Sequence, residues 1–227
     1  MSASRAASST ALVLDFGGVI SRTLFETHSQ SEKALGLPAG TLNWRGPFDA
    51  ASDSLWCDMQ AGRISERDYW LRRSQEVGRL LGEDWNDMQT LVLRARGAEP
   101  DAIVRPEAID AVKTAKAMGC RVAILSNELD LFYGVQLRER LSLMRDVDVI
   151  VDATYTGILK PDPRAYALCE SELQLPPQAL VLVDDQLRNI EGAQRAGWHT
   201  AHLDVREPAT AFAHALELLR KLGSDYI

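Results

Sequence analysis

The sequence predicts an α/β fold, in which a parallel sheet carries helices on both faces and an all-helical segment is inserted after the first strand. Three observations lead to this prediction. Short apolar runs alternate with amphipathic helical patterns over residues 104–222, and another apolar run lies at residues 12–16. Residues 22–100 hold several helical patterns and almost no strand signal. Strands that are apolar throughout are typical of a parallel sheet covered on both sides.

The first strand is expected within ALVLDF, and the inserted segment is expected to contain four helices. Gly36 is a suitable residue to end the first helix. Ser65 and Asp84 are suitable N-terminal caps for the third and fourth helices. The predicted helices cover residues 28–35, 47–58, 66–81 and 85–96.

Four of the five tryptophans fall in the inserted segment. One interpretation is an aromatic cradle for a substrate. The other is that a small helical domain needs large side chains to build a core, and the general behaviour of aromatic residues favours this second interpretation. The four are Trp44, Trp56, Trp70 and Trp85.

The rest of the chain reads as a series of strand and helix pairs. Pro106 is suited to the first turn of a helix, and Gly119 and Gly197 are suited to helix ends. The predicted strands cover residues 121–125, 147–151, 180–183 and 199–203. The predicted helices cover residues 106–118, 131–141, 163–173, 188–196 and 209–222.

Polar side chains follow three of the predicted strands. Asp15 ends the first strand, Ser126 and Asn127 follow the second, and the pair Asp184 and Asp185 follows a third. Ligands of parallel α/β sheets bind beyond the carboxyl ends of the strands, so we expect these side chains to share one crevice. Three neighbouring carboxylates need a compensating charge, and Mg²⁺ prefers oxygen ligands of this kind.

Lys160, within GILKPDP, can add a positive charge near the same crevice. Carboxylates, a lysine and neutral hydroxyl or amide donors around a metal describe a site for a phosphoryl group. Each residue also has a simpler interpretation. The acidic pair alone could cap the following helix, and Lys160 alone could be a solvated surface residue.

Four stretches, LDFGGV, LSN, GILKPDP and LVDDQLRNIEGAQRAG, resemble the ordered motifs of the haloacid dehalogenase superfamily. The resemblance runs along nearly the whole chain, and the helical insertion lies where the helical cap of that superfamily lies. The stretches EKALGLPAG and QAGRIS are similar to the phosphatase branch that includes the amino-terminal domain of mammalian soluble epoxide hydrolase and bacterial sugar-phosphate phosphatases. The resemblance implies a Rossmann-like catalytic core at residues 1–20 and 103–227, and a cap at residues 21–102.

The resemblance also implies catalytic and substrate-binding roles. Asp15 matches the nucleophile that forms an aspartyl-phosphate. Lys160 matches the lysine that holds nucleophile and phosphate together. Ser126, with Asn127 beside it, matches the residue that hydrogen-bonds the phosphoryl oxygens, and Gly18 is assigned to substrate binding as well.

The implied metal ligands for Mg²⁺ come from the same motifs. Asp15 and Asp185 match the acidic ligands, and the carbonyl oxygen of Gly17 matches a backbone ligand. Asp184 matches a second ligand or a residue that orients the others. Asn189 is expected to lie beside this acidic pair.

Gly17 departs from the phosphatase pattern, which usually has a second aspartate there as general acid and base. Such a group typically contributes about 10² to 10⁴ in rate. Three explanations follow: a substrate with a good leaving group, such as an anomeric or acyl phosphate; a proton supplied by the cap, with Glu26 and His28 as candidates; or slow or absent turnover.

These observations leave three functions in order of preference. The first is a Mg²⁺-dependent phosphatase acting on a small phosphate monoester. The second is a binding protein that kept the fold and lost turnover. The third is a 2-haloacid dehalogenase, which resembles the chain less because it carries an aromatic residue where Gly17 stands and a less acidic fourth motif.

Composition limits the partners. The net charge of −7 argues against a general nucleic-acid binder and against binding to an anionic membrane. Three widely spaced cysteines indicate neither a disulfide framework nor a zinc site, and this predicts a cytoplasmic protein. The polar start MSASRAASST does not resemble a signal peptide, and we expect it to be a frayed terminus. The sequence does not specify an oligomeric state.

Overall fold

The structure is a computed structural model that describes residues 10–224. The expected frayed terminus therefore lies, except for Thr10, outside the described residues. Within the described range the chain forms two compact units. The first unit contains residues 10–21, 104–129 and 142–224, and the second contains residues 22–103 and 130–141.

The first unit is built on a five-stranded parallel sheet. The strands are β1 (Ala11–Leu14), β2 (Arg121–Ser126), β3 (Val149–Asp152), β4 (Leu180–Asp184) and β5 (His199–His202). They lie in the order β3-β2-β1-β4-β5, so the chain crosses from one side of β1 to the other between β3 and β4. In register, Leu14 lies beside Ile124 on one side and Val183 on the other. The predicted parallel sheet surrounded by helices is confirmed.

Eleven α-helices are present in the described residues. They are α1 (His28–Leu35), α2 (Ser54–Gln60), α3 (Glu66–Leu80), α4 (Met88–Arg96), α5 (Pro106–Ala117), α6 (Leu129–Tyr133), α7 (Val135–Arg140), α8 (Ala153–Thr156), α9 (Pro163–Leu173), α10 (Leu187–Arg195) and α11 (Pro208–Ser224). None of these helices is both long and apolar enough to cross a membrane.

Both faces of the sheet are covered. Successive side chains of a strand point to opposite faces, so the apolar strands supply two core layers. On one face Val13, Leu125 and Leu182 form a cluster with Tyr166 and Cys169 of α9. On the other side α5 and α11 contact each other and pack on β1. Close packing on both faces therefore holds the sheet in place, and it fixes the backbone from which the side chains at the carboxyl edge extend.

The second unit consists of α1 to α4, most of α6, and α7, and in its fully described ranges it contains no strand. Its centre is aromatic: Phe25 contacts Trp44, Trp56 and Trp70 with ring centroids 5.3 to 5.6 Å apart. These mutual contacts favour the core interpretation for the three tryptophans. Trp85 is buried elsewhere in this unit, against the guanidinium of Arg94.

A buried carboxylate joins the aromatic centre to the helices around it. Asp53 accepts hydrogen bonds from the backbone of Trp56, the hydroxyl of Tyr69 and the guanidinium of Arg73 at 2.7 to 3.0 Å. The charge of Asp53 is thus paired, as burial requires. Asp53 both caps α2 and ties it to α3.

Three local predictions are wrong in the second unit. The helix expected from Pro47 is replaced by two short 3₁₀ turns at Gly46–Phe48 and Ala50–Ser52, and α2 starts only after Asp53. The cap of α4 is Asp87 rather than Asp84. The helix expected over residues 131–141 is divided into α6 and α7.

The segment Asp130–Leu141 belongs to the second unit, although the sequence analysis placed it in the core. The assignment of the two units as catalytic core and cap stays a prediction.

Candidate active site

Strand β1 carries Asp15 to the carboxyl edge of the sheet. The Asp15 backbone N–H donates to the Val183 carbonyl at 3.0 Å, so the hydrogen-bond ladder continues one residue beyond the strand. The chain then turns, and the Ser21 N–H donates back to the Phe16 carbonyl at 2.9 Å. The ladder and the turn together fix the backbone on both sides of the Asp15 carboxylate.

Strand β4 carries the acidic pair to the same edge. One carboxylate oxygen from each of Asp15, Asp184 and Asp185 lies within 4.8 Å of the others. Asp15 and Asp184 are buried, and Asp185 is half-buried. The structure thus brings together the three carboxylates that the sequence placed at two separate strand ends.

Lys160 lies between two of these carboxylates. Its ammonium nitrogen is 2.6 Å from Asp184 Oδ2 and 3.0 Å from Asp15 Oδ1, and the residue is only 3% exposed. Burial alone would lower the pKa of Lys160, but the attraction of Asp15 and Asp184 outweighs it and raises that pKa. Lys160 is therefore positively charged at neutral pH in this site.

The electrostatic balance at Asp15 is different. Burial is the largest effect and raises the pKa of Asp15, the attraction of Lys160 lowers it, and repulsion from Asp184 raises it, so that the net pKa is about 7. When all four side chains are ionised, three negative charges face one positive charge. The net negative charge of these four side chains therefore favours the binding of a cation.

Both carboxylate oxygens of Asp184 are bound within the protein. The Gln186 backbone N–H donates to Oδ1 at 2.9 Å, and the Asn189 amide donates to Oδ1 and Oδ2 at 3.0 and 3.1 Å. The Tyr166 hydroxyl in turn donates to the Asn189 carbonyl at 2.8 Å. Asn189, which the sequence placed near the acidic pair, is thus a direct neighbour of Asp184.

Ser126 and Asn127 lie at the carboxyl end of β2, the strand that pairs with β1. Ser126 is the last residue of the strand and is buried. The Asn127 side chain binds the main chain of Lys160: its amide donates to the Lys160 carbonyl at 3.1 Å, and its carbonyl oxygen accepts from the Lys160 N–H at 2.6 Å.

The two glycines after Asp15 occupy different surroundings. Gly18 has a φ of +77°, and a β-carbon there would overlap the carboxylate of Asp185. Gly18 therefore lets Asp185 approach the backbone of the Asp15 loop. Gly17 is exposed, and a β-carbon there would meet nothing within 4 Å.

Two neighbours of the site were missed by the sequence analysis. The buried Arg105 donates from Nε to the Gly18 carbonyl at 3.0 Å. A ring nitrogen of His202, at the end of β5, lies 3.1 Å from the Asp185 carbonyl. Both contacts involve backbone atoms far away along the chain, and no local sequence signal indicates them.

The donor set fits a magnesium ion. Mg²⁺ is usually bound by one or two carboxylates together with waters and substrate phosphate. Asp15, Asp184 and Asp185 offer only oxygen atoms, and the excess of negative charge suits a divalent cation. No thiol or imidazole belongs to this carboxylate group in the described residues, so a softer metal has no preferred ligand there.

Glu26 and His28, the candidate proton donors, lie in the second unit. Glu26 Oε2 accepts from the backbone N–H and the hydroxyl of Thr23, both at 2.8 Å. Burial lowers the pKa of His28 to about 4, and the His28 ring lies 4.5 Å from that of Trp44. At neutral pH His28 is therefore uncharged, and a neutral imidazole is a poor proton donor.

Comparison with known proteins assigns the family. The profile of haloacid dehalogenase-like hydrolases matches residues 10–197. The chain is 28% identical over 210 residues to acyl-CoA dehydrogenase family member 10 of Mus musculus, a match that covers 91% of this chain and 19% of that protein. It is 31% identical over 99 residues to phosphatase MT3486 of Mycobacterium tuberculosis, covering 44% of this chain and 46% of that protein.

A third relative is (S)-2-haloacid dehalogenase 4A of Burkholderia cepacia, with 29% identity over 118 residues, or 52% of this chain and 51% of that protein. The matches therefore span about half or less of the length of these relatives.

Solved structures share the fold at low sequence identity. The HAD hydrolase YfnB of Bacillus subtilis, determined with bound magnesium, superposes with a TM-score of 0.62 at 17% identity, covering 86% of this chain and 87% of that one. A HAD phosphatase from Thermococcus onnurineus has a TM-score of 0.53 at 18% identity, covering 86% of each chain. These structures share the fold, and the family profile over residues 10–197 shows that the chain belongs to the haloacid dehalogenase-like hydrolases.

Proposed function

We propose that this hydrolase is a Mg²⁺-dependent phosphatase, which cleaves a small-molecule phosphate monoester through an aspartyl-phosphate on Asp15. One observation carries the proposal: a buried lysine bridges Asp15 and Asp184 while Asp185 lies within reach of both. The similarity to a mycobacterial phosphatase and the magnesium in the Bacillus subtilis neighbour support it.

In this proposal Asp15 attacks phosphorus, the bond from phosphorus to the leaving-group oxygen breaks, and the dephosphorylated product departs. Water then attacks the aspartyl-phosphate, which releases inorganic phosphate and restores Asp15. A carboxylate and a phosphate repel each other, so attack requires nearby positive charge. Lys160 supplies one such charge, and the ammonium has a third hydrogen beyond the two directed at Asp15 and Asp184. That hydrogen can bind a phosphoryl oxygen. Ser126 and the Gly18 backbone are proposed to hold the other phosphoryl oxygens.

The metal is proposed to lie on Asp15, Asp185 and the Gly17 carbonyl. A bound Mg²⁺ supplies charge stabilisation for the phosphoryl oxygens. Because Lys160, Asn189 and Gln186 already bind the oxygens of Asp184, we propose that Asp184 orients Lys160 rather than serving as a main ligand.

The absence of an acid at position 17 bears on the substrate class. Gly17 has no side chain that could protonate a leaving group. The lowered pKa of His28 disfavours His28 as the proton donor. We therefore propose a substrate whose leaving group needs little protonation, such as an anomeric or acyl phosphate.

A set of phosphorylated metabolites, assayed with and without Mg²⁺, tests the function. We expect phosphate release that requires Mg²⁺ and is lost in Asp15→Asn. Halide release from 2-haloacids that persists in a chelator would instead identify a dehalogenase, the activity named in one relative. Mg²⁺ binding without turnover on any ester would identify a binding protein.

The two units are proposed to have separate roles. We propose that the first unit acts as the catalytic core and that the second unit, with Asp130–Leu141, acts as a cap that selects the substrate. The cytoplasmic location rests on the sequence argument from cysteine content. The proposed partner is a small phosphorylated molecule, with no nucleic acid or membrane involved.

A further inference from the structure

The Asn127 side chain holds both main-chain polar groups of Lys160. Its amide N–H donates to the Lys160 carbonyl at 3.1 Å, and its oxygen accepts from the Lys160 N–H at 2.6 Å. Only one orientation of the amide satisfies both groups, because one needs a donor and the other an acceptor. The two hydrogen bonds form a clamp from the end of β2 to the loop after α8.

The loop around Lys160 needs this clamp. The residue lies outside regular secondary structure, between α8 and α9, yet it is 3% exposed. A buried N–H or carbonyl that lacks a partner is costly, so such groups are almost always paired. For Lys160 the pairing comes from one side chain, since Asn127 binds both groups.

The clamp also sets where the Lys160 ammonium lies. The main chain of Lys160 is held at one end by Asn127, and its Nζ is held at the other end by Asp184 and Asp15. A shift of the loop by about an ångström would move Nζ away from one carboxylate, and such displacements can reduce a rate about 10²-fold.

We propose that Asn127 is a positioning residue, which acts on the reaction by fixing Lys160. The inference rests on the proposed phosphatase function, because it assigns Asn127 a role in that chemistry. It differs from the substrate-binding role that the resemblance implied for Asn127 beside Ser126, since the Asn127 oxygen and one amide hydrogen are already engaged.

Two measurements test the proposal on the full chain. The first is acetylation of Lys160 by an N-hydroxysuccinimide ester, followed by peptide mass spectrometry. In Asn127→Ala two buried main-chain groups of Lys160 lose their partners, so the loop should open more often and expose the Lys160 amine to the reagent. We therefore expect the Lys160 acetylation rate to rise about tenfold or more. Lys116, which is partly exposed, serves as the internal reference and should not change.

The second measurement is a double-mutant cycle of turnover with Asn127→Ala and Lys160→Met. If Asn127 acts through Lys160, Asn127→Ala should lower kcat in the wild type and have little further effect in Lys160→Met. A residue that binds phosphate directly would lower turnover by the same factor in both backgrounds. Asn86→Ala, an exposed asparagine of the second unit, is the matched control.

Asn127→Asp is the second variant in case the alanine variant does not fold. The carboxylate keeps an acceptor for the Lys160 N–H and loses the donor to its carbonyl, so a smaller rise in acetylation is expected. Unchanged acetylation in the folded Asn127 variants, or additive losses in the cycle, would overturn the proposal. If the wild-type protein shows no phosphatase turnover, only the proposed function is overturned. The acetylation measurement needs no substrate and still tests whether Asn127 holds Lys160.

Discussion

Lys160 Nζ lies 2.6 Å from Asp184 Oδ2, and both side chains are at most 1% exposed. A buried ion pair of this kind costs desolvation energy, so it is weak evidence for stability by itself. Removal of either partner, however, leaves the charge of the other partner buried without compensation. The pair therefore ties the structural integrity of the site to its chemistry.

Lys160→Met is expected to destabilise the protein as well as to lower turnover to a slow residual rate. The substitution leaves Asp184 buried without its cation, at a cost of about 3 kcal/mol or more in unfolding free energy at pH 7. Lys116→Met is the matched control, because Lys116 pairs with Asp148 at 2.8 Å in a partly exposed position. That control should cost about 1 kcal/mol or less. Urea denaturation measures both values, and equal losses would contradict the prediction.

Gly18→Ala is expected to weaken Mg²⁺ binding about tenfold or more. A β-carbon at Gly18 would overlap the Asp185 carboxylate, so the proposed ligand must move. The loss of groups that orient a metal ligand commonly lowers metal affinity by about 10- to 100-fold. Calorimetric titration with Mg²⁺ measures the effect.

Gly119→Ala separates this effect from backbone strain. Gly119 has a φ of +81°, similar to the +77° of Gly18, but a β-carbon there would meet nothing within 4 Å. Both substitutions should lower the unfolding free energy by about 1 kcal/mol or more. If Gly119→Ala weakened Mg²⁺ binding as much as Gly18→Ala, the overlap with Asp185 would not be the cause.

The sequence was sufficient to predict which strand ends come together. In a parallel sheet all carboxyl ends share an edge, so Asp15, Ser126 and Asp184 follow from the strand pattern alone. The contact between Arg105 and the Gly18 carbonyl could not be predicted in this way. It depends on how the chain re-enters the first unit, where the Arg105 N–H also donates to the Ile20 carbonyl.

The errors in the helical unit have local causes. Asp84 and Asp87 are equally good N-terminal caps by composition, and the structure uses Asp87, which accepts from the Thr90 N–H at 2.6 Å. The division between α6 and α7 occurs at Gly134, which has a φ of +73°. Glycine adopts this left-handed conformation without the steric penalty of a β-carbon, so Gly134 is itself the residue at which the helix breaks.

Gly17→Asp is expected to raise turnover on esters with poor leaving groups by about 10- to 100-fold. The open space around position 17 should accept the side chain without loss of stability. Substrates with good leaving groups should gain little, because their expulsion needs no proton. Gly17→Asn is the control, since it has the same size and cannot donate a proton as an acid. Steady-state assays with a series of leaving groups measure the difference, and equal gains in both variants would exclude acid catalysis as the cause.

Acid should destabilise the protein through His28. Burial lowers the pKa of His28 from 6.5 to about 4, and Arg45, Arg73 and Arg96 act in the same direction against the attraction of Glu32. Between these two pH values the unfolded chain binds a proton at His28 and the folded chain does not. The stability that the neutral ring contributes is therefore fully present above pH 6.5 and is lost as the pH falls towards 4.

The His28 contribution amounts to about 1 to 2 kcal/mol, after allowance for partial exposure of the ring. In urea denaturation between pH 6.5 and pH 4, the unfolding free energy of the wild type should fall by about 1 to 2 kcal/mol more than that of His28→Gln. His214→Gln is the control, because His214 is exposed on α11. A His28→Gln curve parallel to the wild-type curve would show that the folded protein accepts a charged imidazole beside Trp44, and that the aromatic centre of the second unit is wetter than its packing indicates.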